Sequence, residues 1–180
     1  MTRLVLLAAA VVSLAAVPTL DAQKLTTLHP GKGGSPHVRA DWTIDGAAIS
    51  IEYGRPFLKG RAVGTDVAPH GEIWRTGADE ATTLKTDKML MFGALHIPAG
   101  TYTLYTIPGQ RNWQLVINKQ TGQWGTVYEQ GQDLGRVQMT VGKTAAPVES
   151  LTISIDDTPK GATLRIEWGS VSASVPFSVM

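Results

Sequence analysis

The chain has 180 residues, of which 43% are hydrophobic and 17% charged, with 16 basic and 15 acidic side chains and a formal net charge of +1. This composition excludes an intrinsically disordered protein, because disorder requires low hydrophobicity together with high net charge. It also argues against a nucleic-acid-binding protein, which normally carries a strong excess of basic residues. The length suits one domain with a terminal extension.

Residues 1–22 have the pattern of an export signal. Arg3 supplies a positive charge, an apolar run follows from Leu4 to Val17, and Leu20-Asp21-Ala22 offers a cleavage site. We expect cleavage after Ala22 and no integral membrane segment in the mature chain, because a spanning helix needs about 20 apolar residues; an uncleaved anchor is the alternative. The chain has no cysteine, which excludes disulfides and a lipid-modified cysteine at the cleavage point. We therefore expect a periplasmic or secreted protein.

Apolar and polar residues alternate through most of the remaining chain, which is the pattern of half-buried β-strands. In residues 38–44 the even-numbered positions are apolar, and Asp45-Gly46 then supplies hairpin turn chemistry. The same alternation recurs at residues 49–53, 89–92, 95–97, 101–107, 113–117, 137–141, 151–155, 164–168 and 171–177. About nine or ten short strands without a convincing helix predict an all-β protein, a single antiparallel β-sandwich or jelly-roll-like domain over residues 38–180.

Two segments lack this alternation. Residues 23–37 are rich in glycine and proline and are interpreted as a flexible N-terminal arm. Residues 54–72 form a long irregular segment within the domain. Loops longer than about 12–15 residues without structure of their own are uncommon and often functional. The second segment is therefore the first candidate for a site.

Basic side chains are concentrated in and just after this irregular segment. They are Arg55, Lys59, Arg61 and Arg75. Because arginine suits bidentate binding of a carboxylate or phosphate, they predict a pocket for an anionic or polyhydroxylated ligand. The competing interpretation is that Arg61 and Arg75 pair with Asp66, Asp79 or Glu80 and only anchor the loop.

The tryptophans are assigned by the pattern that surrounds them. Trp42, Trp113 and Trp168 share parity with apolar neighbours and are expected in the core. Trp74 and Trp124 lie in less regular segments. They are candidates for stacking on a ligand, with a role as loop staples as the alternative.

The histidines form no metal-binding motif. His29 and His37 fall in the arm, and His96 falls in an apolar strand. Only His70, followed closely by Glu72, is a candidate general base or metal ligand, and no second ligand supports it in sequence. The sequence therefore predicts no metal site and no cofactor, and it assigns no catalytic residue.

Three distinctive blocks lie in and on either side of the irregular segment. They are Tyr53-Gly54-Arg55-Pro56, Lys59-Gly60-Arg61 and Trp74-Arg75-Thr76-Gly77-Ala78-Asp79-Glu80-Ala81-Thr82. These blocks resemble domain-of-unknown-function family 2911, and Pro98-Ala99-Gly100-Thr101-Tyr102, Ile107-Pro108 and Asn118-Lys119 are similar to its later motifs. The resemblance extends roughly from Ser35 to the C-terminal strand. It implies an exported bacterial protein of one domain, and it implies no particular activity.

One residue departs from the family pattern. Asp79 stands where the family tends to have asparagine. If this position contacts a ligand, the added negative charge weakens the binding of an anion and favours a metal or an amine. If the position is structural, either side chain can accept the same hydrogen bond in a turn.

The preferred hypothesis is an exported β-sandwich protein that binds a small polar ligand, anionic or carbohydrate-like, at the 54–80 loop. Its predicted contacts are Arg55, Lys59, Arg61, Trp74, Arg75 and Glu80. One alternative is a hydrolase acting on an exported substrate, with Glu80 or His70 as general base. Another is a structural or adaptor module that meets partners at a sheet edge and has no small-molecule site. No nucleic-acid partner is expected, and the sequence does not determine the oligomeric state.

Overall fold

The computed structural model describes residues 24–180, so the predicted export signal lies outside the described residues. Ten strands make up most of this range. They are β1 (Lys24–His29), β2 (His37–Ile44), β3 (Ala47–Gly54), β4 (Thr83–Thr86), β5 (Leu90–Phe92), β6 (Leu95–Ile97), β7 (Gly100–Ile107), β8 (Asn112–Asn118), β9 (Asp133–Thr158) and β10 (Gly161–Val179). The helical content of the described residues is two single 3₁₀ turns, at Lys32–Gly34 and Gln130–Gln132. Neither is long or apolar enough to cross a membrane. The predicted all-β class is confirmed.

The strands form one antiparallel sheet in the order β1-β2-β3-β4-β7-β8-β9-β10-β5-β6. The sheet also folds back on itself, because β2 contacts β9 and β10, and β6 contacts β9. Two layers therefore face each other across a continuous apolar core. This arrangement is a β-sandwich, as the alternating pattern predicts.

The alternation places apolar side chains in the core. In β2, Val38, Ala40 and Ile44 are buried, and the turn at Asp45 and Gly46 has positive φ angles of 48° and 73°. Such angles match the right-handed twist of a two-residue hairpin. Of the tryptophans expected in the core, Trp113 and Trp168 are buried, whereas Trp42 is half-buried and packs against the core from outside.

Strands β9 and β10 are each longer than the sequence predicts. Strand β9 contains both the 137–141 and the 151–155 segments, and β10 contains both 164–168 and 171–177. In β10 the register to β9 shifts on each side of Gly169, which has a φ of 59°. A bulge adds a residue and reverses which positions face the core. This explains why even-numbered residues are apolar before Gly169 and odd-numbered residues after it.

Residues 24–29, which the sequence places in the N-terminal arm, form strand β1 in the structure. This strand pairs with β2 in the register Lys24↔Asp41 to His29↔His37. All six of its residues are exposed. Because neither face of β1 is buried, the strand carries no alternation by which the sequence could have revealed it.

Candidate functional site

A cavity of about 550 Å³ lies beside the irregular segment that follows β3. Its walls come from residues 33–35, parts of residues 56–78 and 125–128, and the side chains of Tyr105 and Trp168. Small-molecule sites commonly have volumes of about 300–1,000 Å³. The cavity is therefore large enough for a small ligand.

The irregular segment is held against β9 by backbone pairing. The Leu58 N–H donates to the Glu149 carbonyl at 2.8 Å, and the Leu151 N–H donates to the Pro56 carbonyl at 2.9 Å. Arg55 adds to this attachment, because its Nε donates to the Leu151 carbonyl at 3.0 Å and its Nη2 to Thr152 Oγ1 at 3.1 Å. Arg55 does not line the cavity. The structure thus places this predicted ligand contact in the attachment of the loop to the sheet.

Two of the sequence blocks that resemble the family lie directly against each other. The Ala78 N–H donates to the Gly54 carbonyl at 3.2 Å. A Cβ added to Gly54 would lie 2.7 Å from the carbonyl carbon of Ala78, so this close approach requires glycine. On the other side of the block, Trp74 and Thr106 exchange two backbone hydrogen bonds at 2.7 and 2.9 Å. These contacts fix the block that forms one wall of the cavity.

Four of the six predicted contacts line the cavity. They are Lys59, Arg61, Trp74 and Arg75, whereas Arg55 and Glu80 lie outside it. The only acidic residue among the described residues that line the cavity is Asp66, whose Oδ2 accepts from the Ala62 N–H at 2.9 Å. Three cationic side chains therefore face one anionic side chain.

Among residues 24–180, Arg61 and Arg75 do not form the ion pairs with Asp66, Asp79 or Glu80 that the anchoring interpretation requires. No carboxylate oxygen lies within 4.0 Å of the charged nitrogens of Lys59, Arg61 or Arg75. Arg61 donates instead to two nearby carbonyl oxygens, at 2.9 and 2.7 Å. Arg75 donates from Nε to the Gly77 carbonyl at 3.2 Å and from Nη1 to the Asp79 carbonyl at 3.5 Å. Carbonyl groups orient a guanidinium without neutralising it, so the charges remain available to a ligand.

Aromatic rings form part of the cavity wall. Trp74 stacks on Trp168 with ring centroids 5.7 Å apart and planes 7° apart, and it meets Trp113 edge-on at 6.1 Å. One face of Trp74 is therefore covered by Trp168. Trp124, the other ligand candidate among the tryptophans, does not line the cavity, and its ring lies 4.9 Å from Nζ of Lys32.

Tyr105 and Tyr128 complete the aromatic lining, with ring centroids 5.0 Å apart. The Tyr105 hydroxyl donates to the Val127 carbonyl at 2.7 Å, and the Tyr128 hydroxyl donates to Asp133 at 2.8 Å. Burial raises the pKa of both tyrosines above the ordinary value. Both therefore stay neutral at physiological pH and add no negative charge to the cavity.

Asp79, which departs from the family pattern, has a structural contact. Its Oδ2 accepts from the Lys32 N–H at 2.7 Å, and its φ is 62°. Aspartate and asparagine both tolerate this left-handed conformation and both carry an oxygen that can accept the bond. The contact ties the 30–36 connection to the cavity wall, and it matches the structural interpretation of this position.

The structure brings together three side chains that the sequence kept apart. His37 Nδ1 lies 3.3 Å from Glu80 Oε2, and His29 Nε2 lies 3.9 Å from the same oxygen. The two imidazole rings stack at 4.8 Å with planes 7° apart. Burial lowers the pKa of His37 below its ordinary value, and this effect outweighs the opposing charge of Glu80. A neutral His37 keeps a lone pair, so the cluster has the donor set of a metal site.

The sequence missed this cluster because β1 carries no strand pattern. Had residues 24–29 been recognised as a strand, an antiparallel hairpin with residues 30–36 as its connection would have placed His29 opposite His37. Nothing local in the sequence indicates Glu80 as their neighbour. Glu80 also forms an isolated bridge with Trp124, which holds its backbone beside the 121–129 loop.

The two general bases of the hydrolase hypothesis lie outside the cavity lining. Glu80 contacts the histidines, and His70 is an exposed residue packed beside Gly64. A general base has to lie within about 3.2 Å of the proton that it removes, or act through a water molecule. The cavity therefore supports binding better than it supports catalysis by either residue.

Comparison with known proteins identifies a family without an assigned activity. No curated protein and no solved structure matches the chain. Residues 35–177, which include most of the cavity wall, His37 and Glu80, match the family described as "Protein of unknown function (DUF2911)". The chain is a member of the DUF2911 family.

Proposed function

We propose that this protein is an exported binding protein for a small anionic ligand, which occupies the cavity beside the irregular segment. The observation that carries the proposal is the set of three cationic side chains, Lys59, Arg61 and Arg75, that line the cavity without a carboxylate partner among residues 24–180. Export is proposed from the signal pattern of residues 1–22. A periplasmic or secreted location follows from it.

The charged groups favour a ligand with a carboxylate or phosphate group. Arg75 uses Nε and Nη1 in bonds to carbonyl oxygens, and its remaining N–H groups have no acceptor among the described residues. A guanidinium binds planar oxyanions through paired N–H groups, and hydrogen bonds to a charged group contribute about 1.5–3 kcal/mol each. The single acidic lining residue, Asp66, already accepts a backbone hydrogen bond. The cavity thus presents a net positive field to its contents.

The aromatic wall favours a ligand with a flat or ring-shaped body. Trp74 and Tyr128 line the same cavity as the cationic groups and are half-buried, whereas Trp168 and Tyr105 behind them are almost completely buried. Aromatic faces pack against sugar rings and other flat groups, while the charged groups fix orientation. A sugar acid or a phosphorylated ring combines both features. A neutral carbohydrate would use the aromatic wall alone and is the second ligand class to test.

The proposal is tested by thermal unfolding of the wild-type chain in the presence of carboxylates, phosphates, sugar acids, sugar phosphates and neutral sugars. A ligand at 100 times its dissociation constant stabilises a protein by about 2.7 kcal/mol. For a chain of this size the midpoint should rise by about 5–10 °C. Arg75→Gln and Lys59→Gln should each weaken binding about tenfold or more. Arg111→Gln is the matched control, because Arg111 is exposed and lies outside the cavity lining.

The variants distinguish a binding site from a structural cluster. Lys59 has an exposed side chain, so Lys59→Gln should fold normally even if Arg75→Gln lowers stability. Equal ligand shifts in wild type and both cavity variants would overturn the proposal. The absence of any shift in a stable wild-type chain would instead favour the adaptor alternative, for which the exposed edge strand β1 is the available surface.

A further inference from the structure

We propose that His29, His37 and Glu80 form a binding site for one divalent transition metal ion, of which Zn²⁺ is the best match. The site is separate from the cavity, because none of the three residues lines it. The proposal is therefore independent of the anionic ligand. The three donor atoms all lie within 4.8 Å of one another.

The spacing of the donors fits a metal ion better than a hydrogen bond. Donor atoms about 2.1 Å from a tetrahedral ion lie about 3.4 Å from one another. His37 Nδ1 and Glu80 Oε2 are 3.3 Å apart, and His29 Nε2 is 3.9 Å from that oxygen. The three donor atoms lie within 4.8 Å of one another, so the exposed His29 has to move toward the other two to complete the three-point geometry.

Two of the donor atoms have no hydrogen-bond partner in the described part of the chain. They are His37 Nδ1 and Glu80 Oε2, both buried at the atom level. The His37 residue is only 5% exposed. Because a buried polar atom without a partner is costly, such a pair aimed at one point calls for a ligand. A metal ion satisfies both atoms at once.

The position of Glu80 favours a cation between the two histidines, because its carboxylate oxygen lies 3.3 Å from His37 Nδ1 and 3.9 Å from His29 Nε2. The Nδ1 of His29 accepts a hydrogen bond from the Gly31 N–H at 3.2 Å. Metal binding through Nε2 places the ring proton on Nδ1, so this hydrogen bond has to be given up. The ion would be held by two imidazoles and one carboxylate.

The donor set selects the class of metal. Two imidazoles and one carboxylate suit Zn²⁺ and neighbouring transition metals, whereas Mg²⁺ and Ca²⁺ prefer oxygen donors alone. Three protein ligands leave a coordination position for water. The ion would also join three parts of the chain: strand β1, the start of β2 and the 74–82 block that forms one wall of the cavity. It would thereby hold the exposed strand β1 on the sheet.

The test is a titration of the tag-free chain with Zn²⁺, followed by calorimetry. We expect one ion per chain and a thermal midpoint higher by about 5–10 °C at saturation. His29→Gln and Glu80→Gln should weaken Zn²⁺ binding by about 100-fold or more, since even the loss of a group behind a ligand costs 10–100-fold. His96→Gln and Glu72→Gln are the matched controls, because His96 is also an exposed histidine on a strand and Glu72 is an exposed glutamate outside the cluster.

A second readout distinguishes this site from adventitious surface binding. Zn²⁺ should slow amide hydrogen exchange in residues 24–31 of the wild-type chain and have no such effect in Glu80→Gln. His29 is exposed, so His29→Gln should keep the fold even if a change at the buried His37 does not. The proposal fails if the wild-type chain binds no Zn²⁺ at micromolar concentration. It also fails if His29→Gln and Glu80→Gln bind as well as wild type, or if the controls lose binding to the same extent.

Discussion

Gly54 is the point where the strand before the irregular segment meets the cavity wall, and Gly54→Ala tests how tightly they are packed. A methyl group at this position would lie 2.7 Å from the Ala78 carbonyl carbon and 3.0 Å from the Ala78 nitrogen. Cβ atoms in proteins essentially never come within 3.0 Å of a heavy atom outside their own residue and its chain neighbours. The obstacle is backbone, so no side-chain rotation can relieve it.

The magnitude follows from what would have to move. Overpacking a tight site costs about 1–3 kcal/mol, and stretching the hydrogen bond from Ala78 to Gly54 costs about 1 kcal/mol more. We therefore expect the free energy of unfolding to fall by about 2–4 kcal/mol. For a chain of this length the thermal midpoint should fall by about 5–15 °C. Because Ala78 lines the cavity, ligand binding should weaken in the same variant.

Urea denaturation followed by circular dichroism measures this change, with Gly142→Ala as control. Gly142 also lies in a strand, but its nearest neighbour to an added Cβ is the Ser172 carbonyl oxygen at 4.0 Å. The control should be neutral or stabilised by up to about 1 kcal/mol, because alanine reduces the freedom of the unfolded chain. A Gly54→Ala variant within about 0.5 kcal/mol of wild type, or an equal loss in both variants, would refute the assigned packing.

Three further predictions concern buried polar groups. Burial raises the pKa of Tyr53 above its ordinary value, so the unfolded chain loses this proton first and the free energy of unfolding falls as the pH rises past about 10. In Tyr53→Phe the free energy of unfolding should fall less between about pH 8.5 and pH 11, as measured by urea denaturation. The same pH profile in wild type and variant would contradict this prediction. Asp79→Asn should keep the hydrogen bond from the Lys32 N–H, so its free energy of unfolding should stay within about 0.5 kcal/mol of wild type. Asp79→Ala loses this bond and strains a positive φ, so its free energy of unfolding should fall by about 1–2 kcal/mol. Equal thermal midpoints for the two variants would count against the assigned role of Asp79. Asn118 is fully buried, donates to two acceptors and accepts from the Gln120 N–H. Asn118→Leu should therefore lower the free energy of unfolding by about 2–4 kcal/mol in chemical denaturation. A denaturation midpoint equal to that of wild type would show that these hydrogen bonds do not stabilise the fold.

Alternation alone predicted the class of fold, because half-buried strands impose a period of two on the sequence. It failed where no face is buried, as in β1, and where a bulge changes parity, as at Gly169 in β10. The count of about ten strands therefore agrees with the structure for partly different reasons. Strands β1 and β4 were not among the predicted strands, and two pairs of predicted strands form the single strands β9 and β10.

The predicted ligand contacts agree only in part with the residues that line the cavity. The clustering of basic residues led to the prediction of a site at the irregular segment, and Lys59, Arg61 and Arg75 line a cavity there. Arg55 lies in the same segment, yet its guanidinium bonds to β9. The direction of a side chain in an irregular loop depends on what the loop is attached to, and that attachment joins residues far apart in the chain.

The sequence by itself determined the all-β class, the family and the concentration of positive charge, because strand periodicity, family motifs and local charge are properties of neighbouring residues. Only the tertiary structure decided which charges share a cavity, which remain without ion pairs, and that His29, His37 and Glu80 meet. These are contacts between strands and loops distant in sequence. They depend on sheet register and on close backbone approaches such as that of Gly54 to Ala78, which no local pattern encodes.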